Sequence, residues 1–185
     1  MKTPKVFGIG FHKTGTTSLG QALGLLGYRV CGDVATADPL IGERALGFAR
    51  QLTERFDAFQ DNPWPIIYRE LDGWYPDAKF VLTVRDTESW LASVVKFFGE
   101  RDSPMRAWIY GVGVPRGNEA VYRARYERHT REVQDYFRDR PGRLLIMDFG
   151  TGDGWDKLCP FLATAVPAAP FPRVKPTKPR RKMWL

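Results

Sequence analysis

The stretch Val6-Phe7-Gly8-Ile9-Gly10-Phe11-His12-Lys13-Thr14-Gly15-Thr16-Thr17-Ser18-Leu19 constrains the fold more than any other part of the chain. Val6, Phe7, Ile9 and Phe11 form a nearly continuous apolar run, as in a strand buried on both faces of a parallel sheet. Leu19, Ala22, Leu23 and Leu26 recur at i, i+3, i+4 and i+7, one face of an amphipathic helix, and Gly27 is placed to end it. Strand, glycine- and hydroxyl-rich loop, then helix make an anion site. The first helical turn presents free N–H groups and the positive end of the helix dipole.

Gly10, Gly15 and Thr17 match the glycine and hydroxyl positions of the phosphate-loop pattern GxxxxGK[ST]. The lysine does not match. Thr16 stands where a nucleotide hydrolase carries it, and Lys13 lies three positions earlier, at the crown of the loop.

The 185 residues suit one domain with a sizeable core, expected over 1–172, followed by a basic tail over 173–185. No apolar run approaches the roughly 20 residues that span a bilayer, and the first strand begins too early for a signal peptide. Two distant cysteines, Cys31 and Cys159, fit no metal spacing and read as buried free thiols. A cytoplasmic protein is the expectation. The net charge of +7 is concentrated at the end. Setting aside Arg173, Lys175, Lys178, Arg180, Arg181 and Lys182, six of the 28 basic residues, leaves 22 against 21 acidic. The body is therefore nearly neutral, which argues against a nucleic-acid-binding surface. The tail is either a solvated terminus or a basic segment that folds over an anionic ligand.

Further along, Tyr28–Cys31 reads as a short strand, 33–42 as loop, 43–56 as helix and 57–65 as loop. Trp64–Leu71 reads as a short helix, and Lys79–Val84 is the clearest internal strand, with Asp86 capping the helix after it. Residues 99–117 read as a loop or lid, Asn118 to Arg138 as a long helix, Leu144–Met147 as a last buried strand, and Trp155–Thr164 as a helix disturbed by Pro160. Strands alternating with helices predict an α/β protein, a three-layer α/β/α sandwich around a mostly parallel sheet of the P-loop NTPase type. Ligands of such sheets sit beyond the C-terminal strand ends, where both Lys13 and Arg85 fall.

The run His12-Lys13-Thr14-Gly15-Thr16-Thr17-Ser18-Leu19 resembles the 5′-phosphosulfate loop of sulfotransferases that use 3′-phosphoadenosine 5′-phosphosulfate (PAPS). Arg85 at a strand end, with Ser93 eight positions on, resembles the 3′-phosphate motif of the same family. Guanidinium grips a phosphate dianion in two places and a hydroxyl adds a directed donor; the competing reading pairs Arg85 with Asp86 or Glu88 and leaves Ser93 facing solvent. Asp61-x-Pro63, the Tyr75–Lys79 run, and the order Gly154-Trp155, Leu158-Cys159, Phe161-Leu162, Pro170–Val174 resemble bacterial and fungal sulfotransferase-like proteins. Lys175 stands where those sequences often carry Asn.

The resemblance implies metal-free transfer of a sulfuryl group from PAPS to a hydroxyl or amine of a small-molecule acceptor. It places Lys13 at the bridging oxygen of the leaving phosphate and backbone N–H groups of Thr14 to Ser18 around the 5′-phosphate. Thr17 and Ser18 hydroxyls would assist, and Arg173 and Lys175 would approach the 3′-phosphate. His12 belongs to the loop, but, directly preceding Lys13, its ring is expected to point elsewhere. Asp61 is the first choice of general base, or else caps the turn at Asn62-Pro63. His129 reads as a core histidine; Trp64, Trp108 and Tyr110 either shape an acceptor pocket or fill the core. Two alternatives stay open. Leu144–Asp148 looks like a Walker B strand, which would make the chain a P-loop kinase using ATP and Mg²⁺; the other is a non-catalytic nucleotide-binding protein.

Overall fold

A computed structural model describes residues 4–174. The elements run β1 (Val6–Gly8), α1 (Thr16–Leu25), β2 (Val30–Cys31), α2 (Ile41–Arg55), β3 (Ala58–Phe59) and α3 (Tyr68–Trp74). They continue with β4 (Lys79–Val84), α4 (Thr87–Phe98), α5 (Pro104–Tyr110), α6 (Glu119–Phe137), β5 (Leu144–Asp148) and α7 (Trp155–Leu162). The five strands form one sheet in the order β2-β3-β1-β4-β5, and every pairing is parallel. In register, Phe7 lies between Phe59 and Phe80, and Val81 lies opposite Leu145.

Alternation along the strands divides the interior in two. Phe7, Phe59, Phe80 and Leu82 face a layer that includes Ala45 of α2, Trp90 and Val94 of α4, Ile109 of α5 and Tyr122 and Val133 of α6. Val6, Ala58, Val81 and Met147 face Leu19, Ala22 and Leu23 of α1 and Leu158 and Cys159 of α7. The result is the expected α/β/α sandwich. Both cysteines are free and buried.

Several elements depart from the expectations. Ala58–Phe59, inside what reads as a loop, is a strand that bridges β1 and β2; two residues are too few to show a period. The short helix starts at Tyr68, not Trp64, because Pro63 and Pro65 hold the residues before them out of helical geometry. Residues 104–110, read as lid, form α5, with Pro104 in the first turn where its missing N–H is not needed. Asn118 stands at the start of α6 but gives it no side-chain cap; its amide donates instead to the Val114 carbonyl at 3.0 Å. The strand at Leu144 is an edge, and only Met147 in it is fully buried. No helix among the described residues is long and apolar enough to cross a membrane.

Candidate active site

Because the sheet is all parallel, the loops after β1, β3, β4 and β5 emerge at one end. There a cleft of about 340 Å³ is lined by Lys13, Thr14, Gly15 and Ser18, by Val84 and Arg85, by Asp148, Phe149 and Gly150, and by Arg173 and Val174. Lys13 and Arg85 thus share one cleft. A larger hollow, about 420 Å³, lies against the last turn of α6 and β5 and contains none of these residues.

The β1–α1 loop turns on two left-handed residues, Lys13 (φ 68°) and Gly15 (φ 102°). At Gly15 a side chain has no room: a Cβ would stand 2.3 Å from the Phe149 ring. The first bond that holds the helix start runs from Leu19 N–H to the Gly15 carbonyl at 3.0 Å. The N–H groups of residues 15–18 precede it, at the positive end of the α1 dipole. Thr14 is different. Its N–H and its hydroxyl both turn to the Phe11 carbonyl, and the hydroxyl also meets Thr83 Oγ1 at 2.6 Å. The cradle therefore begins at Gly15, one residue later than expected. Thr16 Oγ1 donates to Asp61 Oδ2 at 2.8 Å. Thr17 is exposed and outside the cleft lining, whereas Ser18 lines it and accepts from the Val174 N–H at 3.0 Å.

The Lys13 ammonium lies 3.7 Å from the centre of the Phe97 ring. Burial lowers its pKa; the Asp61 carboxylate opposes that shift and the Arg85 guanidinium adds to it. Tyr126 holds the Arg85 backbone, accepting from its N–H at 2.9 Å and donating to its carbonyl at 2.8 Å. The competing partners of Arg85 are otherwise engaged. Asp86 accepts from the Ser89 N–H at 2.9 Å, and Glu88 pairs with Arg123 at 2.8 Å. Among the described residues the Arg85 guanidinium forms no ion pair. Ser93 is half-buried on α4 and is not brought into the cleft lining.

Asp61, also left-handed (φ 68°), follows β3 rather than lining the cleft. Burial above all, with the Asp33 charge, raises its pKa to about 6, against the stabilising bonds from Thr16 and the Asn62 N–H. His12 faces away from the cleft: Asn62 Nδ2 meets its Nδ1 at 3.1 Å and Tyr110 Oη lies 3.2 Å from its Nε2. Burial, then the Arg106 and Lys13 charges, depress its pKa to about 3. His129 is a core histidine, stacked on Phe11 at 4.2 Å with Nε2 2.8 Å from the Ile9 carbonyl. Trp64 and Tyr110 are core as well, and Trp108 packs over Gly42. Arg173 reaches the cleft, but its guanidinium is tied to the carbonyls of Phe149 (2.8 Å) and Gly152 (3.0 Å). Lys175 and the rest of the basic tail lie outside the described residues.

Sequence reasoning passes over two aromatic residues here, Phe97 and Phe149. Phe97 lies under the lysine, and Phe149 closes over Gly15 and packs against Phe171 at 5.2 Å. No local pattern distinguishes them from core rings.

An all-parallel α/β sheet, with a helix start and two basic residues at one cleft, is an arrangement suited to anions. The chain belongs to the sulfotransferase domain family, whose family model matches residues 5–115 and 104–179. It is also similar to the Ava biosynthesis cluster protein M of Aspergillus versicolor, with 26% identity over 146 residues. That match covers 67% of this chain and 56% of the relative, so the chain spans little more than half the length of that protein.

Proposed function

We propose that this chain moves a sulfuryl group from PAPS to a hydroxyl or amine of a small-molecule acceptor. The observation that carries the reading is the shared cleft: Lys13 and Arg85 line one space, with the open N–H groups of the α1 start beside them. A doubly phosphorylated adenosine presents anions at both ends, and a guanidinium without a protein carboxylate at one end fits the 3′-phosphate. PAPS supplies the activated sulfuryl group; the chain supplies position and charge. Gly15 to Ser18 hold the 5′ end through backbone N–H groups, and Lys13 offers its ammonium to the oxygen that leaves with the phosphate. Asp61, with its pKa near 6, is largely ionised at neutral pH and takes the acceptor's proton. The sulfur–oxygen bond to the phosphate breaks as the bond from sulfur to the acceptor forms.

The kinase alternative has one observation on its side: Asp148 lines the cleft. Against it, position 16 is a threonine, and its hydroxyl is committed to Asp61.

Thermal shift with adenosine 3′,5′-bisphosphate, ATP, and ATP with Mg²⁺ separates the readings. A ligand at a hundred times its Kd adds about 2.7 kcal/mol of stability, and the bisphosphate alone is expected to do so. Lys13→Ala should abolish turnover while retaining most nucleotide affinity; Arg85→Ala should weaken the bisphosphate by about 10- to 100-fold. Stabilisation by ATP with Mg²⁺ and none by the bisphosphate would overturn the reading.

A further inference from the structure

Lys13 lines the cleft, but the ring against which its ammonium rests does not. Its ammonium sits 3.7 Å above the centre of Phe97, and Phe97 is not among the residues lining the cleft. The seat is constructed rather than incidental. Phe97 is in the last turn of α4, where the helix dipole is negative. Its ring stands at 89° to that of Phe98, with centroids 4.9 Å apart, and Phe98 in turn packs edge-on against His12 at 5.0 Å. Arg101 donates back to the Phe97 carbonyl and holds its guanidinium 5.5 Å from the ring. The residue preceding the lysine and the turn following the ring are thus both tied to this aromatic pair.

We propose that Phe97 is a positioning residue: its ring is the resting seat of the Lys13 ammonium, which the nucleotide must displace on binding. The inference rests on the sulfotransferase reading and adds to it a control on donor affinity. A ring face attracts a cation, most of all where water is partly excluded, and burial already lowers the ammonium's pKa. In the proposed exchange the ammonium leaves the ring face to meet a phosphate held by the helix start. The free protein therefore favours a state that the bound protein gives up, and apparent affinity falls by the fraction of molecules so held. A ring that merely packs would have the opposite signature, because its loss would loosen the loop and weaken binding.

The experiment compares wild type, Phe97→Leu and Phe97→Tyr by calorimetric titration with adenosine 3′,5′-bisphosphate. It also follows the Lys13 ε-methylene resonance in lysine-labelled protein, assigned with Lys13→Ala. Phe97→Leu is expected to bind about two- to fivefold more tightly than wild type, and Phe97→Tyr to match it. The ε-methylene signal should be shifted upfield by the ring in the free protein and return toward its ordinary position on titration. Equal or weaker binding by Phe97→Leu, or an upfield shift that persists in the complex, overturns the seat. Wild type that shows the upfield shift but binds no bisphosphate overturns the nucleotide reading and with it the exchange. Free wild type without the shift overturns the seat alone.

Discussion

Lys13 and Asp61 both hold φ at 68°, a region that residues with a side chain enter at a cost of about 1 kcal/mol or more. Two such residues at neighbouring strand ends place an ammonium and a carboxyl within electrostatic reach of each other. In the proposed reaction Asp61 sets the pH dependence. Its carboxyl must be ionised to accept a proton, so with a pKa near 6 kcat/KM should fall tenfold per pH unit below about pH 6 and level off above it. Asp61→Asn should lose about 10²- to 10⁴-fold in turnover and lose that pH dependence. The sign of the stability effect is opposite. A carboxyl whose pKa rises on folding favours the folded state below the unfolded pKa and loses that contribution as pH rises through about 6. Asp61→Asn should therefore unfold in urea at pH 7 no earlier than wild type. An equal loss of stability and activity would point to a structural carboxylate only.

At the scale of elements, α3 adds to its core contacts through Tyr68 and Leu71 one buried charged group. Asp72 accepts from Tyr136 Oη of α6 at 2.8 Å and from the guanidinium groups of Arg140 and Arg143, on the turn that leads into β5. Removing one partner of such a pair strands the others. Asp72→Ala should cost about 3 kcal/mol in urea unfolding, while the folded variant keeps its affinity for the bisphosphate, since none of these residues lines the cleft. Elements that carry a period were legible from the sequence. The helix expected over 43–56 is α2, Ile41–Arg55, and Lys79–Val84 matches β4. What could not be read were pieces defined by their neighbours. Ala58–Phe59 is a strand only because β1 and β2 flank it, and α5 gains its fixed place from the Tyr110 to Tyr122 stack at 3.9 Å. The site divides in the same way. The lysine loop and the arginine at a strand end follow from spacing, but that Thr14 turns inward and Phe97 underlies the ammonium depends on folded geometry.

For the molecule as a whole, acid is the condition that sets its titrating groups against one another. The chain has two histidines, and both are buried with depressed pKa values, about 3 for His12 and about 4 for His129. Burial is the leading cause in each. A histidine depressed on folding contributes stability above its unfolded pKa near 6.5, and that contribution is lost as pH falls through the folded value. Two histidines losing together would give about 2.7 kcal/mol per pH unit. Asp61, raised on folding, offsets about half of it between pH 6 and 4, leaving a net loss of about 1 kcal/mol per unit. Urea midpoints across that range should show this slope, and Asp61→Asn should steepen it toward twofold.

The strand order has one more consequence, for synthesis. Of the five strands of the sheet, β1 is translated first and ends at the centre, with a neighbour on each side that is made later. Lys13 is therefore translated long before the ring that it rests on and the arginine across from it. A nascent chain holds the lysine loop without the rest of the cleft, which is complete only when Asp148 to Gly150 and Arg173 have been made and folded back.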